Sequence, residues 1–128
     1  SAYSRRALDL AFHEASLRGA ELRVVHAWTW NDMDSVLDPL NTVPAGRPQA
    51  ESIALSEMLA GYCEDYPEVV VRQRLVEERP YAALVVASAT ADLLVVGSRG
   101  RGRLSSVVLG STSHRLLSAA ACPLLIAR

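Results

Sequence analysis

The chain has no lysine. All 13 of its basic residues are arginines, which excludes any mechanism built on a catalytic or phosphate-gripping lysine, the Walker pattern GxxxxGK(S/T) included. Cysteine is nearly as scarce. Cys63 and Cys122 are too few for a disulfide framework and have no metal-ligand spacing, so a reduced, cytoplasmic setting is the simplest reading. No apolar run is long enough to cross a membrane, and the opening Ser1-Ala2-Tyr3-Ser4-Arg5-Arg6 has no signal-peptide hydrophobic region. Acidic residues are missing from one end. The last of the 14 is Asp92, whereas Arg99, Arg101, Arg103, Arg115 and Arg128 follow it. A chain of net charge −1 with one cationic end implies a local anion site, not a nucleic-acid-binding face.

The 128 residues, half of them hydrophobic and 21% charged, suffice for one domain with one buried core. Ser4 is placed to cap a helix to about Arg18, with Ala7, Leu8, Ala11 and Ala15 on one face and Gly19 as its left-handed stop. Leu22 to Ala27 reads as a strand. Trp28 to Arg47 is irregular, rich in Pro, Gly and Asp, and of a length often reserved for function. A helix opens at Pro48 and ends near Gly61 to Tyr66. Val69 to Val76 reads as a strand with one wetter side, near a sheet edge. Pro80 opens a short helix to Thr90, apolar nearly all round and expected to be buried. Leu93 to Val96 has the character of a central parallel strand. After a glycine-rich loop, Ser111 begins a last helix to about Ala120, and Leu124 to Ala127 forms a last strand. Such alternation predicts a parallel sheet with helices on both faces, and ligands beyond the carboxyl ends of the strands.

The segment from Gly97 to Ser113 carries the chemistry. Gly97, Gly100 and Gly102 let backbone approach a ligand and permit positive φ, so that successive N–H groups can form an anion-binding concavity. Gly110 precedes a helix that starts Ser111-Thr112-Ser113, whose free N–H groups, dipole and hydroxyls favour a phosphate. Arg99 and Arg101, with Arg103, can supply guanidinium charge. The dinucleotide pattern GxGxxG fails, because Ser105 stands where a third glycine is needed and no acid follows to hold a ribose. An isolated GxxG is often only a tight turn; here a strand, the arginines and a Gly-Ser-Thr-Ser helix start accompany it.

Gly97-x2-Gly100-x9-Gly110-Ser111 resembles the pattern G-x2-G-x9-G-(S/T) of ATP-binding universal stress proteins. Ser4-Arg5-Arg6-Ala7-Leu8, Arg18-Gly19-Ala20-Glu21-Leu22, Val25-His26-Ala27-Trp28, Ala91 to Gly97 and Cys122-Pro123-Leu124-Leu125-Ile126 resemble the same family in order, most weakly between Asn31 and Arg79. The resemblance implies an α/β three-layer sandwich with a five-strand parallel sheet, of the adenine-nucleotide α-hydrolase-like kind. It implies a homodimer through the last strand. It places Ala27 against adenine, Val96 and Gly97 near ribose and adenine, and Gly100, Gly110, Ser111, Thr112 and Ser113 on the phosphates of ATP, AMP or ADP, with Mg²⁺ on the phosphate oxygens. Arg99, Arg101 and Gly102 fall in the motif's spacer and join the site on physical grounds alone.

The family pattern starts with a hydrophobic strand ending in Asp-x-Ser, whose aspartate reaches the adenine. This chain starts at what resembles that serine, Ser1, so residues 1–128 are expected to form a single domain lacking its first strand. A fragment of a longer chain fits better than a lost central strand, which would open the core. Glu77-Glu78-Arg79-Pro80 stands where a glycine often precedes the proline. His13, His26 and His114 have no metal spacing; Asp32, Asp34 and Asp38 read as an acidic loop. No residue is evident to position an attacking water. The expected function is therefore regulatory ATP binding with at most slow hydrolysis. The alternative is a scaffold module of the same fold that binds no nucleotide.

Overall fold

A computed structural model describes residues 2–29, 47–99 and 109–128 of the protein. Helix α1 spans Ala2–Arg18, so Ser4 lies inside it and does not cap it. Its end follows the glycine expectation. Gly19 adopts φ 58°, its N–H bonds the Ser16 carbonyl, and the Ala20 N–H bonds that of Ala15. The two bonds close a Schellman motif, which satisfies carbonyls the helix would otherwise strand.

Strand β1, Leu22–Trp28, pairs in parallel with β2, Val71–Glu77, from Leu22 opposite Val71 to Trp28 opposite Glu77. Trp28 thus belongs to the ladder and not to the following loop. Val69 stays outside β2 because its N–H turns back to the Tyr66 carbonyl. Helix α2, Arg47–Asp65, joins the two strands. Helix α3, Pro80–Ser88, begins on a proline whose missing N–H costs nothing at that position. It stops short of Thr90 because the N–H groups of Ala89, Thr90 and Ala91 each reach back only three residues, a tightened last turn. Strand β3, Leu94–Gly97, pairs in parallel with β4, Leu124–Ala127, and α4, Ser111–Ala119, connects them. Among the described residues the strands form these two ladders. Helix α1 packs against β3, β4 and β1, and so ties the ladders together.

Among the described residues, two apolar clusters are buried. Phe12, Ala15, Leu55, Leu59 and Val69 form one. Phe12 is completely buried and stacks on Tyr62 at 5.0 Å between ring centroids, an arrangement that adds to its area burial. Leu94, Val96 and Leu116 form the other, with Tyr81, Leu84 and Val85 of α3 against them. The expectation that α3 is buried all round fails at Val86, which is 74% exposed. A helix packed on one sheet and one neighbouring helix still turns one side outward. No described helix is long and apolar enough to cross a membrane.

Candidate functional site

The carboxyl end of β3 is joined to the start of α4 by a short run of hydrogen bonds. The N–H groups of Leu94 and Ser98 reach the Pro123 carbonyl just before β4 and the Ala127 carbonyl at its end, 2.9 and 2.6 Å away. In a parallel ladder alternate residues address opposite edges, so the Gly97 carbonyl lies on the edge away from β4. There the Ser113 hydroxyl donates to it at 2.7 Å. The Ser98 carbonyl accepts the Gly110 N–H at 2.7 Å, and the Gly110 carbonyl accepts the His114 N–H at 2.9 Å. The chain therefore leaves β3 and returns to α4 at adjacent points.

At that junction the first turn of α4 presents N–H groups without intrahelical partners at Ser111, Thr112 and Ser113. The Gly110 N–H is excluded from that set by its bond to Ser98. Ser111 is exposed and Thr112 half-buried, and among the described residues neither hydroxyl has a hydrogen-bond partner. The first turn holds no acid, and none follows Asp92. The helix dipole and the open donors both favour an anion here. Positive φ occurs at Gly19 among the described glycines. Gly110 has φ −59° and Gly97 is ladder backbone, so the conformational freedom expected at Gly97 is not used.

The structure brings Val96, Gly97, Gly110, Ser111, Thr112 and Ser113 to one end of the β3–α4 unit. Arg99 lies two residues beyond β3, half-buried and engaged in an interaction. Ala27 stands near the carboxyl end of the other ladder, opposite Val76. Gly100, Arg101 and Gly102 lie outside the described residues, as do Arg103, Trp30 and the three loop aspartates. Arg115 stacks its guanidinium 3.7 Å from the centre of the Tyr81 ring, a contact that fastens α4 to α3. Sequence reasoning left two contacts unseen. His26 Nε2 lies 2.8 Å from Glu51 Oε2, which pins α2 to β1 beside Ala27. The inward turn of Ser113 was legible in principle, since it falls three residues before buried Leu116 on the same helix face. No group of three His, Cys, Asp or Glu residues fit to hold a metal occurs among the described residues.

The sequence profile of the Universal stress protein family matches residues 1–128. The chain belongs to the universal stress protein family. It is 46% identical over 128 residues to Universal stress protein Rv2005c of Mycobacterium tuberculosis, and that alignment covers 100% of this chain and 42% of the relative. Universal stress protein Rv2623 of the same species is 39% identical over the same shares. This universal stress protein chain thus spans less than half the length of these curated relatives. Among solved structures, the universal stress protein UspA from Lactobacillus plantarum superposes with a TM-score of 0.78 at 18% identity, covering 100% of this chain and 91% of that one. A universal stress protein in complex with cAMP gives 0.70 at 26% identity, covering 100% and 89%. These matches bear out the α/β fold, with parallel strands and helices on both sides.

Proposed function

We propose that this universal stress protein domain is a regulatory adenine-nucleotide-binding module that holds ATP at the junction of β3 and α4. The observation that carries the reading is the open first turn of α4, where the Ser111 and Thr112 donors have no partner among the described residues and no acid follows Asp92 in the sequence. In this reading Ala27, Val96 and Gly97 line the base and ribose, and the N–H groups of Ser111, Thr112 and Ser113 take the phosphates. Gly110 permits close approach, and Arg99, Gly100, Arg101 and Gly102 complete the loop around the phosphates. Mg²⁺ neutralises phosphate oxygens without protein side-chain ligands. The neighbour in complex with cAMP supports the nucleotide class, because that ligand also offers adenine, ribose and a phosphate.

The same reading includes a homodimer through β4 and a cytoplasmic setting. Occupancy shifts the population of partner-binding states. Hydrolysis is slow at most, for want of a group to position water. Calorimetry with ATP and Mg²⁺ on the full chain tests the proposal. Saturable heat is expected. Absence of saturation at about millimolar ATP, an affinity of roughly 4 kcal/mol or weaker, removes the binding function. A Gly110→Val variant that binds as tightly as the parent removes this location.

A further inference from the structure

We infer that Ser113 is a positioning residue of the phosphate site, its hydroxyl locking the Gly97 peptide to α4 while its own side chain stays off the ligand. The inference rests on the nucleotide-binding reading above and assigns roles within it. Three consecutive hydroxyl residues open α4, and their side chains are not equivalent. Ser111 is exposed and Thr112 half-buried, whereas Ser113 is 4% exposed. Its hydroxyl donates to the Gly97 carbonyl at 2.7 Å, and a hydroxyl has one hydrogen to give. That carbonyl lies on the edge of β3 away from β4, and no other strand pairs with it among the described residues. Gly97 is half-buried, and a carbonyl withdrawn in part from water gains from such a partner.

The bond does more than satisfy one oxygen. Gly97 is followed by Ser98, whose N–H holds the Ala127 carbonyl and whose carbonyl holds the Gly110 N–H. Gly110 in turn accepts the first helical bond of α4, from His114. Ser113 closes this run from the opposite side, so two bonds fix where the first turn of α4 sits relative to the end of β3. The open N–H groups of Ser111 and Thr112 are aimed by that position. An anion site gains from donors that are already in place, because no reorganisation is needed on binding. Ser113 therefore acts through the backbone of its neighbours, and Ser111 and Thr112 are the hydroxyls left to meet a phosphate.

The test uses the full chain with Ser113→Ala, Ser113→Thr and Ser111→Ala variants. It reads ATP–Mg²⁺ and adenosine affinities by calorimetry, and amide hydrogen exchange in the absence of nucleotide. Ser113→Ala is expected to raise exchange at the Gly110 amide without ligand and to weaken ATP by about tenfold relative to adenosine, the scale of one lost hydrogen bond. Ser113→Thr, which keeps the hydroxyl, restores both. Ser111→Ala weakens ATP but leaves the ligand-free Gly110 exchange unchanged. Unaltered Gly110 exchange in Ser113→Ala, or an unaltered ratio of ATP to adenosine affinity, overturns the inference while the binding function stands. A parent chain that binds no ATP overturns the binding function, and the positioning role with it.

Discussion

In the half built from α1, β1, α2 and β2, polar side chains bond mainly to one another at the surface. Ser16 donates to Glu68, Ser56 to Gln73 and Arg72 to Glu21, over an interior of stacked Phe12 and Tyr62. In the half built from α3, β3, α4 and β4, the corresponding groups are buried serines that bond to backbone. Ser88 donates to the Val85 carbonyl and accepts the Ala121 N–H, and Ser113 holds Gly97. Surface pairs between side chains are replaceable by water. Buried bonds to main chain decide where the main chain runs. The half with the open donors is thus the half whose backbone course is dictated by small polar side chains.

Five substitutions test this contrast. The largest effect belongs to the aromatic interior. Phe12→Ala removes a wholly buried ring and should lower unfolding free energy by about 3–5 kcal/mol in urea titrations. Next, Ser88→Ala strands the Ala121 N–H and should cost about 1–3 kcal/mol. By comparison, Ser16→Ala in the other half should cost no more than about 1 kcal/mol, because both Ser16 and Glu68 can be resolvated. Equal costs for Ser16→Ala and Ser88→Ala would dissolve the contrast between the halves.

A subtler prediction concerns alkali. Burial, and then the hydrogen bond to Asp9, push the Tyr62 hydroxyl from 10.0 up to about 12. Its folded form therefore keeps the proton that the unfolded chain releases. The associated stability is complete below the ordinary tyrosine range and is lost as pH rises toward the folded value. Tyr62→Phe should flatten this alkaline loss in denaturation midpoints measured across that window. An unchanged slope would place the alkaline sensitivity elsewhere. The smallest effect is expected at Val86, where substitution by Ser at an exposed position should stay within about 0.5 kcal/mol. A larger loss there would show that the outward side of α3 is covered in the intact protein.

Much of the fold was legible because turn chemistry and periodicity agreed. Gly19 ends α1 through the left-handed conformation that its place after a periodic run implies. Pro80 opens α3 where a proline is harmless. The four strands among the described residues fall within a few residues of the apolar runs that announced them. Phe12 was passed over for the alanines beside it, since a stripe of small residues marks a helix face without showing which position reaches deepest. The candidate site was legible as composition, but the different surroundings of its three hydroxyls were not. Ser111, Thr112 and Ser113 read alike as donors, and only packing against the Leu116 side of α4 separates the third from the first two. Likewise His26 and Glu51 stand 25 residues apart in sequence, a separation no local pattern bridges.

Trp28 closes β1 and is 5% exposed. That screening gives the protein a built-in optical gauge. An indole kept from water emits toward the blue, and one that is wetted shifts to the red. In a variant with phenylalanine at Trp30, one indole remains. Its colour then follows, in real time and without a label, whether the end of that strand stays dry when candidate ligands are titrated in.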